Sequence, residues 1–317
     1  MTLDSMVVRL DTIGVKLVSV AVLLSTYNGE RYLAELLDSL VAQEGVDVHI
    51  FVRDDGSTDG TLKILASYED RIDYVDSTGP NLGPALSFLK LVRDVPGFDY
   101  YAYCDQDDVW YPSKLFQATK MMEDVEEGKP ALYMSTYDVV NEDLDYLSTF
   151  DMKFERPLTL GETIVYRSPS GCTMVFNQKL RDLVAISNPD FVRMHDFWTL
   201  LVAETFHAKL ITDSTPLLGY RQHSDNTVGI IPSPYMRFKR LFKSALHGNN
   251  ERWRQAHNLL AFYSDTMPED SKATINKVDE YRRSLKNRFG LAFDEHYNVG
   301  DLRTDFLFKV SVLTGLF

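Results

Sequence analysis

Residues 17–25 read LVSVAVLLS and lead directly into the polar turn Thr26-Tyr27-Asn28-Gly29. A near-continuous apolar run of this kind is typical of a strand buried on both faces of a parallel sheet. Between residues 33 and 41, leucines and a valine recur at the spacing of one helix face. The stretch therefore predicts a strand, a turn and a helix at the start of a parallel α/β sheet.

The alternation of strands and helices continues along the chain. Residues 48–52 (VHIFV), 71–75 and 100–104 read as further strands, and helical patterns separate them. Such alternation predicts right-handed crossovers and a mostly parallel central sheet flanked by helices. Ligands of these sheets bind beyond the carboxyl ends of the strands. We therefore expect functional residues just after each strand.

The rest of the chain divides by composition. Residues 131–140, 172–176 and 209–213 read as strands and 196–208 as a helix, whereas prolines and a basic helical pattern follow Ser224. We predict two halves of one α/β domain, over 1–115 and 116–225. A helical C-terminal extension is predicted over 226–317.

Composition excludes several classes of protein. Lys and Arg number 33 against 46 Asp and Glu, which gives a net charge of −13 and argues against nucleic-acid binding. The 2 cysteines make neither a disulfide framework nor a zinc site. No secretory signal and no apolar run long enough to span a membrane are evident. We expect a cytoplasmic protein.

Two acidic clusters follow predicted strands. Asp54-Asp55 comes after the second strand and Asp105-Gln106-Asp107-Asp108 after the fourth. The carboxylates of Asp105 and Asp107 repel each other when both are ionised, and they become useful when Mg²⁺ or Mn²⁺ lies between them and a diphosphate. A carboxylate of the first cluster can instead accept a hydrogen bond from a base N–H, with Gly56 allowing close approach. A solvated acidic turn or a helix cap is the alternative interpretation of each cluster.

Four motifs in order resemble one family. They are Ser25–Gly29, Asp54–Asp59, Asn81-Leu82-Gly83 and Asp105–Asp108. The set resembles the family 2 glycosyltransferases, which are inverting enzymes of the GT-A fold, and the likeness covers roughly 17–225. Asp105–Trp110 and Tyr220-Arg221-Gln222-His223 look most like bacterial rhamnosyltransferases of surface polysaccharide synthesis.

The resemblance implies that 1–115 is the nucleotide-sugar-binding half of the domain, which holds the donor site, and that 116–225 is the acceptor-binding half. The nucleotide- and donor-binding residues are Thr26, Tyr27, Asn28, Asp54, Asp55, Asn81, Gly83, Asp105 and Gln106. Asp54 matches the carboxylate that reads the pyrimidine N3–H, and Asp107 matches the metal ligand. Arg221 and His223 can bind diphosphate oxygens, and His223 can complete a metal shell. A solvent-facing loop is the alternative for these last two.

The resemblance also implies a general base. An inverting transfer needs a group that deprotonates the acceptor hydroxyl. In the family this is an acid at the start of a helix, and the match here is Asp196, preceded by His195 where the family often has an acid. Gly171 and Cys172 match a turn near the acceptor, and Trp110 can stack on a sugar. Helix capping, strand entry and core packing are the respective alternatives.

The resemblance thus implies transfer of a sugar, L-rhamnose from dTDP-β-L-rhamnose, onto a saccharide or lipid-linked saccharide acceptor. Six basic residues and one acid between 235 and 257 favour peripheral membrane contact, with packing on the acidic half as the alternative. Homo-oligomerisation stays open. The competing hypotheses are a catalytically silent glycan-binding or membrane scaffold and a sugar-phosphate nucleotidyltransferase.

Overall fold

The computed structural model describes residues 17–75, 79–150, 159–166, 170–223 and 251–317. The first predicted unit is present, with β1 over Ser19–Thr26 and α1 over Leu33–Val41. The apolar centre of β1 is fully buried, and α1 packs its leucines into the same core. The run of 17–25 is therefore a central strand, as its composition predicts.

Nine strands form one sheet within these residues. After β1 they are β2 (Asp47–Asp54), β3 (Ile72–Tyr74), β4 (Tyr100–Cys104), β5 (Val109–Trp110), β6 (Ala131–Val140), β7 (Tyr146–Phe150), β8 (Met174–Asn177) and β9 (Lys209–Arg221). After α1 the helices are α2 (Thr61–Ala66), α3 (Gly83–Asp94), α4 (Lys114–Met122), α5 (Leu160–Tyr166), α6 (Gln178–Ile186), α7 (His195–Thr205), α8 (Glu251–Tyr263), α9 (Glu269–Glu280), α10 (Leu285–Ala292) and α11 (Leu302–Thr314).

The strand order is β3-β2-β1-β4-β8-β6-β9-β5, with β7 paired to β6. β3, β2, β1 and β4 run parallel to one another, and β6 runs parallel to β9. β8 lies antiparallel between β4 and β6, and the pairs β6–β7 and β5–β9 are also antiparallel. The predicted mostly parallel sheet is confirmed. The carboxyl ends of β1, β2 and β4 consequently meet at one edge.

The sheet has a core on each face. One core holds α1 and α4, and the other holds α3, α6 and α7. The C-terminal helices join this second core, for example through Leu259, Ile275 and Phe308. The predicted helical extension is present, and its helices cover the sheet rather than standing apart. No helix in the described ranges is both long and apolar enough to cross a bilayer.

β9 differs most from its prediction. The sequence indicates a strand over 209–213, but the structure continues it to Arg221. Two shifts of register against β6 let the strand pass Pro216, and its end also pairs with β5. The extra length carries Arg221 and His223 to the acidic turn after β4. Of the segment 235–257, only 251–257 is described, as part of α8, so the membrane prediction falls mainly outside the described residues.

A candidate donor and metal site with a buried carboxylate

The turn after β2 is closed by Asp54. Its Oδ1 accepts a hydrogen bond from Thr26 Oγ1 at 2.9 Å, and its Oδ2 accepts from the backbone N–H of Gly56 at 3.1 Å and of Ser57 at 2.8 Å. Gly56 has φ of +92°, a conformation that favours glycine. Asp54 therefore lies at the predicted edge, beside Thr26, in a fixed orientation.

Asp55, Asn81 and Gly83 form one hydrogen-bonded unit. The Asp55 carboxylate accepts from Gly83 N at 2.8 Å and from the buried Arg53 at 2.5 Å, and Asn81 Nδ2 donates to Asp55 O at 2.8 Å. The unit joins the turn after β2 to the start of α3. The structure thus brings together these three residues, which were predicted to bind the sugar donor, and their polar groups mainly contact one another.

The turn after β1 is held from both sides. Gln106 exchanges two hydrogen bonds with the backbone of Tyr27, at 2.9 and 3.0 Å, and the side-chain oxygen of Asn28 accepts from Thr58 N at 2.8 Å. Tyr27 is exposed. Hydrogen bonds therefore link the turn after β1 to the turns after β2 and β4, at the edge where the sequence predicts a binding site.

The acidic turn after β4 contains two groups of side chains of the types that bind metal ions. Asp107 Oδ2 lies 2.8 Å from Nε2 of His223, which arrives from the end of β9. Asp105, Asp108 and Cys172 form a second group, with one ligand atom from each lying within 4.8 Å of the others. Carboxylate and imidazole suit a divalent cation such as Mn²⁺. The residues present at this turn can therefore hold a metal ion.

Burial shifts the titration of this turn. Desolvation, with the charges of Asp107 and Asp196, raises the pKa of Asp105 to about 7. Desolvation also holds the pKa of Asp108 well above its usual range. The Asp196 charge is one of those that raise the pKa of Asp105, and Gly171, the neighbour of Cys172 in the second ligand group, lies against Asp196. A bound cation would favour the ionised form of both carboxylates.

Lys114 is a site residue that the sequence did not reveal. It is fully buried in the first turn of α4, its Nζ donates to Cys172 O at 2.6 Å, and desolvation lowers its pKa to about 8. Its charge opposes those of Asp105 and Asp108. In the sequence Lys114 is marked only by its place six residues after the acidic turn Asp105–Asp108. A lysine in such a position is usually exposed.

Trp110 and Cys172 are both buried in the core beside this turn. The Trp110 ring is 2% exposed, and Lys114 Nζ covers it at 3.2 Å from the ring centroid. This placement supports core packing for Trp110 and leaves no open ring face for a sugar. Cys172 contributes its carbonyl to Lys114 and its thiol to the second ligand group.

Arg221 turns its guanidinium into the protein. The guanidinium donates to Asp107 O at 2.9 Å, to the Glu142 carbonyl and to Glu35 Oε2 at 2.6 Å, and its carbon lies 4.5 Å from the Tyr32 ring centroid. The side chain is 1% exposed. These contacts support a role in fixing the acidic turn rather than the predicted contact with a diphosphate.

Asp196 is buried in the first turn of α7. Its Oδ1 accepts from Phe197 N at 2.6 Å, and desolvation raises its pKa to about 6. His195 stacks on Phe88 with centroids 3.9 Å apart, and burial lowers its pKa to about 3, so the ring is neutral. Neither ring nitrogen has a hydrogen-bond partner among the described residues.

Gly171 lies directly against this pair. A Cβ atom at Gly171 would lie 2.7 Å from His195 Nε2 and 3.3 Å from Asp196 Cβ. The structure thus brings Gly171, His195 and Asp196 together, as the sequence predicts. It adds that only glycine fits there without displacing the histidine.

Two comparisons of the sequence with known proteins bear on the family of this chain. The model of glycosyl transferase family 2 matches residues 21–182. The dTDP-rhamnosyl transferase RfbG of Shigella flexneri is 30% identical over 235 residues, which cover 69% of this chain and 78% of that protein.

Solved structures resemble the whole fold. S. aureus TarS in complex with UDP-GlcNAc has a TM-score of 0.56 and 16% identity, with 94% of this chain and 89% of that chain covered. Mannosyltransferase PcManGT from Pyrobaculum calidifontis, in complex with GDP-Man and Mn²⁺, has a TM-score of 0.51 and 16% identity, with 94% and 80% covered. At this identity they show the fold alone, which is GT-A. With the family match and the relative from Shigella, they establish that the chain belongs to glycosyl transferase family 2.

Proposed function

We propose that this chain is a metal-dependent inverting glycosyltransferase that moves L-rhamnose from dTDP-β-L-rhamnose onto a saccharide or lipid-linked saccharide acceptor, giving an α-linkage. The observation that carries the proposal is the position of the buried Asp196 carboxylate against Gly171, whose neighbour Cys172 places its thiol beside Asp105 and Asp108 of the acidic turn. The choice of donor rests on the name of the Shigella relative. We place this activity in cell-surface polysaccharide synthesis on the cytoplasmic side of the membrane, with peripheral contact through 235–257.

Asp107 and His223 would hold Mg²⁺ or Mn²⁺, with Asp105 nearby. When bound, the cation neutralises negative charge that develops on the departing diphosphate. The fold neighbour from Pyrobaculum was solved with Mn²⁺, which supports this choice. Arg221 keeps the acidic turn in place through its bond to Asp107 O.

Asp196 would remove the proton from the acceptor hydroxyl. The hydroxyl oxygen bonds to the anomeric carbon as the bond from that carbon to the diphosphate breaks, and the electron pair leaves with the diphosphate. A carboxylate with a pKa of about 6 is ionised at neutral pH and is a better base than an exposed aspartate. His195, whose pKa is lowered to about 3, is a weaker base than Asp196 and adds no charge beside it.

The reaction class can be tested without knowing the acceptor. Purified protein is incubated with a panel of nucleotide sugars, with and without Mn²⁺ or Mg²⁺, and released nucleoside diphosphate is measured. We expect metal-dependent release from dTDP-rhamnose above the other donors. If no nucleoside diphosphate is released and none binds in a metal-dependent way, the proposal is wrong and a silent scaffold is favoured.

The activity should fall in acid because Asp196 must be ionised to accept a proton. Its pKa of about 6 predicts that kcat decreases about tenfold per pH unit below pH 6. Asp105 and Arg193 are the charged groups that act on this region, and His195 stays neutral across the range. A pH profile of kcat at saturating substrate and metal measures the effect. A profile that is flat to pH 4.5 would remove Asp196 as the base.

Gly171→Ala should impair transfer because the new methyl group collides with His195 Nε2 and displaces Asp196. A displacement approaching 1 Å costs about 10²-fold in kcat, and overpacking costs about 1–3 kcal/mol of stability. Gly290→Ala is the matched control, since nothing lies within 4 Å of its Cβ position on α10. Steady-state kinetics and thermal melts of both variants check the prediction. Wild-type kcat in Gly171→Ala would show that the pair tolerates movement.

A further inference from the structure

Two arginines flank the ring of Phe197, the residue that follows Asp196. The guanidinium carbon of Arg252 lies 4.7 Å from the ring centroid and that of Arg193 lies 6.0 Å from it. Arg193 belongs to the loop before α7, and Arg252 to the first turn of α8. Asn258 of α8 donates to Phe191 O at 2.8 Å, which fixes the helix against this loop. The pair is therefore held beside the candidate base.

The hydrogen-bonding capacity of this pair is largely unused. Among the described residues, neither guanidinium donates a hydrogen bond, and Arg252 Nη1 is enclosed without a partner. The carboxylate paired with Arg193 is Glu251, whose Oε2 lies 3.9 Å from Arg193 Nε, too far for a hydrogen bond. Burial, and then the like charge of Arg193, lowers the pKa of Arg252 to about 9. Negatively charged oxygens of a ligand would accept a hydrogen bond from Arg252 Nη1 and would offset the repulsion between the two guanidinium charges.

The arginine pair and the acidic turn are both close to Asp196: the pair lies at the ring of the next residue, Phe197, and Gly171, the neighbour of Cys172, lies against Asp196. The charges that act on Asp105 are those of Asp107, Asp196 and Lys114. The cation that acts on Asp196 is Arg193. Asp196 thus lies near both the proposed diphosphate and metal site and the two arginines. In an inverting transfer the base faces the acceptor, on the side opposite the leaving group.

We infer that Arg193 and Arg252 form an anion subsite that binds a phosphate group of the acceptor. The inference rests on the proposed function, because it takes Asp196 to face the acceptor. Planar guanidinium groups match pairs of phosphate oxygens in both geometry and charge. The acceptor class would then be a saccharide that carries a phosphate or diphosphate, as a lipid-linked saccharide does.

Binding of farnesyl diphosphate tests the subsite without knowledge of the sugar. Titrations in EDTA compare the wild type with Arg252→Gln and Arg193→Gln. Arg254→Gln is the matched control, because Arg254 lies on the same helix and contacts Asp190 and Phe191 instead. We expect each of the first two variants to raise Kd about 10-fold or more, since a charge-assisted contact is lost, and the control to match the wild type. Equal Kd values in all four proteins would overturn the inference.

Further measurements distinguish the phosphate of an acceptor from that of a lipid headgroup, and they test the subsite separately from the proposed function. Inorganic pyrophosphate should show the same dependence on Arg193 and Arg252 as farnesyl diphosphate. If the two variants instead lose only binding to phosphatidylglycerol vesicles, the arginines bind lipid headgroups and the acceptor assignment is wrong. Arg193 is 34% exposed, so its variant tests the subsite even if Arg252→Gln fails to fold. Donor turnover of the wild type tests the proposed function independently of these titrations.

Discussion

Asp196→Asn is expected to lower kcat for sugar transfer by about 10²–10⁴-fold, the usual contribution of a general base. Asparagine keeps an oxygen that can accept the hydrogen bond from Phe197 N, so the first turn of α7 should survive. What it loses is the ability to take the proton of the acceptor hydroxyl. Rates of product formation at saturating donor, acceptor and metal measure the loss.

The control for this variant is Asp190→Asn. Asp190 lies in the loop before the same helix, and its side chain is 84% exposed. It should retain wild-type turnover. Metal-dependent binding of dTDP should be similar in both variants, because Asp196 is assigned to the acceptor and not to the nucleotide. Turnover near wild type in a folded Asp196→Asn protein would show that Asp196 is not the general base.

Asp107→Ala should abolish the effect of metal on nucleotide binding. Asp107 is paired with His223 at 2.8 Å, and we assign both to the cation. Loss of the cation removes several kcal/mol of stabilisation from the departing diphosphate, which corresponds to about 10²–10⁴-fold in kcat. Titration of dTDP with and without Mn²⁺ shows whether the metal still strengthens binding, and transfer rates give the catalytic loss.

Asp143→Ala provides a matched loss of one exposed carboxylate, in the turn after β6. It should leave both measurements unchanged. If Asp107→Ala still binds dTDP more tightly with Mn²⁺, the cation lies instead at Asp105, Asp108 and Cys172. Asp105→Ala would then be the variant that loses the metal effect.

The strands up to β4 could be predicted because their signal is local. An apolar run such as 17–25 has few structures open to it, and the polar turns that follow mark the ligand-binding edge. The grouping of Asp54, Asp105 and Asp107 followed from topology alone. Gly171, His195 and Asp196 required the family resemblance, because a short acidic helix start has many structural explanations.

The orientation of long polar side chains could not be predicted. Arg221 was expected to bind a diphosphate, and its position in the chain gives no sign of the carbonyls of Asp107 and Glu142 that it reaches. Lys114 and Trp110 pose the same problem, since their burial depends on how α4 packs against the acidic turn. Side chains with many rotamers are placed by contacts distant in sequence, which a single sequence does not display.

The unit formed by Asp55, Asn81 and Gly83 bears on attempts to engineer a new donor preference. If the turn after β2 were replaced by that of a relative, the hydrogen bonds from Asn81 and Gly83 to Asp55, on which the start of α3 depends, would be lost. Gln106 links the turn after β1 to the turn after β4 in the same way. Grafts that move one turn alone should therefore misfold locally. A chimera has to exchange the residues of coupled turns as a set, and natural divergence of donor preference should follow the same linked substitutions.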